Sequence, residues 1–292
     1  MTKDQDARAA VPGLERGLNI LRLFKRSRPH ITPPAMAREL GIPRSTVHRL
    51  AVTLEALGFL QRVDGTGAFA LGPAVLTIGY EYLASLDIVQ LSNPILARLH
   101  NETKLSTHLA VRHGTEIVYL SRHAQRATAI SNVTVGTSLP AHATVMGRMM
   151  LADLSPAELR ALYGKGPLPA YTDQTPTSLT ALEALLIEDR QRGYAISTAF
   201  FERGVTAVAA PLRDRTGRVV AVINVTVVDA ALDPRYLRGE LKDRVLAAAA
   251  EISTLLGAPA TSDNAPTRHS GELGADGRSG RKRMEERFRP DV

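Results

Sequence analysis

Cysteine is absent from the 292-residue chain. That excludes disulfides, cysteine-ligated zinc fingers and a thiol nucleophile, and leaves the redox compartment unread, since zero fits either side of a membrane. No stretch approaches the ~20 consecutive apolar residues that cross a bilayer. Met1 to Ala10 is polar where a secretory signal needs an apolar centre. The expectation is a soluble cytoplasmic protein without membrane contact. Metal-ligand spacing is missing too: His108 and His113 flank a hairpin with no Asp or Glu partners at suitable intervals, so no metal site and no cofactor follow. The segment "GTSLPAHATVMG" holds Gly-x-Ser but not Gly-x-Ser-x-Gly, so a nucleophile elbow is unsupported and no catalytic residue is assigned.

What the chain does have is length for two ordinary domains and an uneven charge. Through Leu71, eleven Lys and Arg face six Asp and Glu, so +5 of the overall +7 lies in the first quarter. A basic N-terminal module favours polyanions through counterion release. Leu14, Leu18, Leu21, Leu23 and Phe24 recur at helical spacing until Pro29. A second, short helix starts at Pro33 and Pro34 behind a capping Thr32 and stops at Gly41. A third carries Val47, Leu50, Leu54 and Leu57 on one side and ends at Gly58. "FLQRVDGTGAFALG" then reads as two strands around Asp64 to Gly67. Helix, helix, helix, hairpin is the order of a winged helix-turn-helix.

The opposite side of the third helix carries Arg44, Ser45, His48 and Arg49. A polar helix face is ordinarily a solvated one. Here a short glycine-ended helix precedes it, the polar residues sit at the N-terminal end where a recognition helix meets base edges, and an Arg-bearing hairpin follows. Together these favour DNA. Arg44 and Arg49 can fork onto guanine or clamp phosphate, Ser45, Thr46 and His48 can bond either, Thr53 can reach backbone phosphate, and Thr32 and Arg62 join them as candidate DNA-binding residues.

Beyond the wing, a helical pattern from Pro73 to about Leu86 serves as a linker, and Ile88, Leu91, Ile95 and Leu99 mark another helix. "STHLAVRHGTEIVYLSRH" and "TAVAAPLRDRTGRVVAVINVTVV" read as hairpins, the second turning at Asp214 to Gly217. Helical patterns lie at about 145 to 152, 178 to 192 and 234 to 256. Strand pairs interleaved with helices give an α+β fold with an antiparallel sheet. From Pro259 large aliphatics nearly vanish, which predicts a disordered tail.

The blocks "LERGLNILRLF", "MARELGIPRSTVHRLAVTLEALGFLQR", "VGTSLPAHATVMGRMMLADLSPAEL", "RGYAIS" and "RGVTAVAAPLRDRTGRVVAVINVT", in order over roughly residues 13 to 257, resemble the IclR family of bacterial transcriptional regulators. The resemblance implies a flexible stretch over 1–12, a winged helix-turn-helix over 13–72, a linker helix over 73–86, and a GAF-like effector-binding domain over 87–257 before the tail at 258–292. It further implies a homodimer or dimer of dimers on a palindromic double-stranded operator, and a small-molecule effector, with a small aromatic or aliphatic carboxylic acid as the expected class. Carried over position by position, the effector pocket would comprise His142, Thr144, Val145 and Met146 around a helix start, Ser197 and Thr198, Val205 and Ala207, and Asn224 and Thr226. Backbone N–H groups at that helix start suit a carboxylate, and Asn224 and Thr226 alternate onto one strand face. Relatives that bind very small acids tend to carry smaller residues than Val145 and Met146. A rival reading is a GAF-like metabolite-binding protein or enzyme whose N-terminal module serves only dimerisation.

Overall fold

Proline and glycine set the helix boundaries of the N-terminal quarter in the computed structural model, which describes residues 11–124, 133–228 and 232–259. Helix α1 (Pro12–Arg22) and α2 (Pro33–Leu40) both begin with proline, and α2 stops where Gly41 turns left-handed at φ 64°. Helix α3 (Arg44–Ala56) follows, then the antiparallel pair β1 (Leu60–Val63) and β2 (Ala68–Leu71). Ile31 bridges to Phe69 and so ties the chain between α1 and α2 to the wing. The core of this module is Ile20, Phe24, Ile31, Met36, Ala37, Val47, Ala51, Leu60 and Phe69.

Periodicity located these helices but not every side that packs. In α1 the buried residues are Gly17 and Ile20, while Leu14 and Leu18 are 63% and 50% exposed. Leucines occupy two sides of α1, and the rest of the module covers only one. In α3 the buried positions are Val47 and Ala51, with Leu50 and Leu54 half-buried, and Leu57 lies exposed past the last turn. Thr32 does stand at the start of α2, but its hydroxyl makes no capping bond; its carbonyl accepts from Ala35 and Met36 instead.

Helix α4 (Ala74–Ala84) has no buried residue at all. Helix α5 (Asp87–Thr103) leads into β3 (Ser106–His113), β4 (Glu116–His123) and β5 (Ser138–Pro140). Helices α6 (Val145–Leu151), α7 (Pro156–Tyr163) and α8 (Leu179–Arg192) precede β6 (Ala195–Thr198), β7 (Val205–Arg213) and β8 (Val219–Val228). The six strands form one antiparallel sheet in the order β5-β4-β3-β8-β7-β6. Helix α7 escaped the periodicity reading, although its capping box, Ser155 with Glu158, is written in the sequence. The helix expected over 234 to 256 is instead a short turn at Pro234–Tyr236, a wide turn at Leu237–Leu241 with irregular backbone at Gly239, and α9 (Lys242–Leu255). The flexible stretch expected over 1–12 and the tail expected over 258–292 fall almost wholly outside the described residues.

Strand alternation assigns the two sheet faces. On β3 the Thr107 hydroxyl donates to the Leu96 carbonyl of α5, so its neighbour His108 points to the other face, against α6. Every residue of α6 from Val145 to Leu151 is buried. Two contacts make that burial possible. A Cβ on Gly147 would stand 2.2 Å from the Ala141 carbonyl oxygen, so only glycine lets α6 press on the turn at Ala141–Ala143. Arg148, carried inward with the rest, donates Nε and Nη2 to the Asp189 carboxylate of α8, each at 2.8 Å. The two side chains are 3% and 1% exposed. Burial pushes the Asp189 carboxyl up, and the Arg148 fork pulls it back toward the ionised form.

Removing one partner strands the other charge in the core, whereas removing both leaves only apolar packing. Asp189→Ala is expected to lower unfolding stability by about 3–5 kcal/mol, and Arg148→Met with Asp189→Leu by clearly less. Chemical denaturation of the three proteins checks this; a double variant as unstable as Asp189→Ala would sink the argument.

Candidate functional site

Two separate surfaces carry functional side chains. The first is the N-terminal half of α3, where no side chain caps the first turn and Arg44, Ser45, His48 and Arg49 are all exposed, with Thr46 half-buried beside them. Four donors of this kind on one helical side can meet base edges and phosphates together. The flanking positions differ from the expectation. The Thr53 hydroxyl donates back to the Arg49 carbonyl at 2.9 Å, and Arg62 is held by Glu55, Nε to Oε1 at 2.9 Å, with its guanidinium 5.1 Å from the Phe69 ring. Both are engaged within the module. Thr32 is exposed and its hydroxyl is free of the helix cap.

The second is a cavity of about 270 Å³ between α6 and the sheet. Eight of the positions carried over from the sequence reach its wall: Thr144, Val145, Met146, Ser197, Val205, Ala207, Asn224 and Thr226. Thr198 does not, because alternation along β6 turns it outward, where it accepts from the Thr206 hydroxyl at 3.2 Å. His142 is also off the wall. Its Nε2 lies 2.9 Å from the Pro169 carbonyl and its ring packs on Tyr163 and Tyr171, so it is a buried structural hydrogen-bonder. The helix start is less open to an anion than its sequence suggested. Thr144 Oγ1 already accepts from the Gly147 N–H at 3.2 Å, and α6 is only seven residues long.

Sequence reading missed the aromatic part of the wall: His108, Tyr119, Phe200 and Phe201. Phe200 and Phe201 follow Ala199, a non-glycine residue at φ 59°, and the Thr175 hydroxyl holds the Phe200 carbonyl at 2.6 Å. The backbone is thus bent and clamped to present these rings. Arg148 stacks behind, its guanidinium 4.8 Å from the Phe200 ring. Among the described lining residues there is no Lys or Arg, and Glu202 is the one carboxylate.

Polar groups on the wall form a chain across two strands. His108 pairs in register with Asn224, and its Nδ1 lies 2.9 Å from Asn224 Oδ1, which only accepts, so Nδ1 carries the proton. Asn224 Nδ2 donates to Thr226 Oγ1 at 3.1 Å. That leaves the Thr226 O–H as a donor and His108 Nε2 as a buried acceptor with no partner among the described residues. Desolvation is the main cause that lowers the His108 pKa to about 4, with Arg122 and His123 adding to it and the Asn224 bond opposing.

A buried neutral histidine makes stability depend on pH. Between about 4 and 6.5 the unfolded ring binds a proton that the folded ring refuses, so this contribution is complete above pH 6.5 and is lost as pH falls toward 4. The loss is on the order of 3 kcal/mol. Denaturation at pH 7 and pH 4.5 should show His108→Gln losing less stability on acidification than the wild-type chain; equal losses would count against a neutral buried ring.

Comparison with known proteins assigns the two parts of the chain to one family. The chain matches the family model described as the IclR helix-turn-helix domain over residues 13–64 and the one described as bacterial transcriptional regulator IclR C-terminal over residues 80–254. It is 30% identical over 250 residues to the HTH-type transcriptional regulator XynR of Escherichia coli, covering 86% of this chain and 99% of that one. It is 32% identical over 234 residues to the Pca regulon regulatory protein of Pseudomonas putida, covering 80% and 78%. A crystal structure of an IclR homologue from Microbacterium hydrocarbonoxydans, complexed with 4-hydroxybenzoate, superposes with a TM-score of 0.72 at 26% identity, over 84% of this chain and 98% of that one. The rival reading as an enzyme is thereby overturned. With a helix-turn-helix module and the family's C-terminal domain in one chain, the protein belongs to the IclR family of bacterial transcriptional regulators.

Proposed function

We propose that this regulator binds a palindromic operator as a homodimer or dimer of dimers in the cytoplasm, and that the cavity beneath α6 takes a small organic acid, an aromatic one in the first instance. The observation that carries the ligand reading is the wall itself. It offers 270 Å³, room for a single ring with a short substituent, lined by apolar and aromatic side chains around a few convergent polar groups. The relative complexed with 4-hydroxybenzoate supports the aromatic class. No described helix is long and apolar enough to cross a bilayer.

A second copy of the chain is the partner that suits the N-terminal module. Leu14 and Leu18 on α1, and Leu76, Ile78, Tyr80 and Tyr82 on α4, are at least half exposed. An apolar surface of this extent on helices marks an association site. A dimer would bury it and also supply two α3 helices to two half-sites. Sedimentation is expected to give a dimer or tetramer for the wild-type chain and a smaller species for Leu76→Asp with Tyr80→Asp; an unchanged mass would exclude this surface.

Operator binding is tested at the arginines. Arg44→Ala and Arg49→Ala should each weaken specific binding by ~1–3 kcal/mol if they make bidentate base contacts, with the fold intact because neither is buried. Wild-type affinity should also fall steeply with salt. If both variants bind as tightly as wild type, α3 is not the reader.

For the ligand, thermal melts against a panel of benzoate, 4-hydroxybenzoate, pyruvate and similar acids should reveal a stabilising compound. Mass action gives about 2.7 kcal/mol at a hundredfold excess over Kd. Asn224→Leu should abolish that shift, because it removes the Asn224 amide at nearly constant volume. The same compound must change operator affinity, and operator DNA must change its affinity by the same factor. No shift from any acid, or a shift that survives both Asn224→Leu and Thr226→Val, would move the pocket elsewhere or change the ligand class.

A further inference from the structure

The cavity poses an electrostatic problem for an acid. A carboxylate entering it meets no Lys or Arg among the described lining residues and shares the space with Glu202. An unpaired anion in an apolar site is costly, and such groups escape the cost by taking up a proton. One residue on the wall is set up for that. His108 is buried, its Nδ1 proton is committed to Asn224, and its Nε2 lone pair has no partner among the described residues. A buried acceptor left unpaired costs about as much as a lost hydrogen bond, so a ligand that brings an O–H recovers that cost. The Thr226 hydroxyl, two residues along from the Asn224 that pairs with His108, has a hydrogen to donate in return.

We propose that His108 is the polar anchor of the effector pocket and that an organic acid is held there together with one proton, shared between a carboxyl oxygen and His108 Nε2, while the second carboxyl oxygen accepts from Thr226. The inference rests on the acid-binding reading of the cavity. The balance is simple: anion, neutral imidazole and one proton from solvent give a carboxyl–imidazole pair of unchanged ligand-plus-proton charge, and Nδ1 keeps its proton on Asn224 Oδ1. Whether the shared proton sits nearer oxygen or nitrogen, the complex holds one proton more than its separated parts. The groups facing His108 allow this. From β4 come Tyr119, whose ring meets the imidazole edge-on at 5.4 Å, and the cationic Arg122 with His123; β8 gives only the neutral Asn224 and Thr226, and α6 only Val145 and Met146. Arg122 and His123 oppose a lone imidazolium, as does burial, and both objections fall away once a carboxylate lies against Nε2. Glu202 favours the neutral pair over a bare anion.

The consequence is a regulator that senses the protonated acid rather than the anion. Free carboxylic acids titrate near 4, and burial lowers the His108 pKa to about 4 as well, so from pH 6 to 8 both partners start without the shared proton. Affinity should then fall about tenfold per pH unit. Calorimetry with the full chain, using 4-hydroxybenzoate or whichever panel acid gives the largest melting shift, is run at pH 6, 7 and 8 in two buffers of different ionisation enthalpy. We expect close to one proton taken up per ligand and a Kd that rises about tenfold per pH unit. His108→Gln should lose both the uptake and the slope. A Kd independent of pH with no proton uptake overturns the proposal while leaving the acid-binding pocket standing, as does a slope that persists in His108→Gln. Should that variant not fold, the proton count on the wild-type chain decides alone. Failure of every panel acid to bind removes the pocket reading, and this inference with it.

Discussion

The burial of α6 on every side is the constraint from which the C-terminal half is built. A helix of seven residues, VMGRMML, has no polar face to offer to water, so it can exist only as the centre of something. Its single charge is answered by Asp189 from α8, and its approach to the preceding turn is possible only because residue 147 lacks a Cβ. Those two contacts fix where α6 lies against the sheet, and therefore how much space remains between them. The cavity is that space.

The polar chemistry of the cavity depends on the sheet. His108 and Asn224 belong to strands far apart in the chain, brought opposite each other by the β3–β8 register. A slip of one residue in that pairing would put the two side chains on opposite faces and leave the wall without its hydrogen-bonded chain. Phe200 joins the two halves of this arrangement. It forms part of the wall on one side and stacks on Arg148 on the other, with its carbonyl clamped by Thr175. Movement of this ring therefore changes the environment of the buried ion pair.

The N-terminal module solves a different problem. Nine buried side chains are enough to hold its three helices and wing together, but α4 contributes nothing to that core and α1 only one of its sides. The leftover apolar surface lies on α4 and on the outer side of α1, the helix whose inner side packs on α3. These exposed leucines and tyrosines are different side chains from the polar residues of α3, so a substitution can change one set without replacing the other.

Local signals in the sequence determined a good deal. Pro33 and Gly41 delimit α2, Asp64 to Gly67 makes the wing turn, and Asp214 to Gly217 joins β7 to β8, because turn and cap residues act on the backbone within a few positions. The polar side of α3 was legible for the same reason, since helical period alone puts Arg44, Ser45, His48 and Arg49 together. Alternation likewise placed Asn224 and Thr226 on one face. Tertiary structure decided what local signals do not encode: which of two leucine-bearing sides of α1 is covered, that Thr198 turns away while Ser197 faces in, and that His142 serves Pro169. It also decided that His108, a residue the sequence offered only as a failed metal ligand, is the buried base on the cavity wall. That role needs Asn224 from a strand over a hundred residues away, and no local pattern records a partner at that separation.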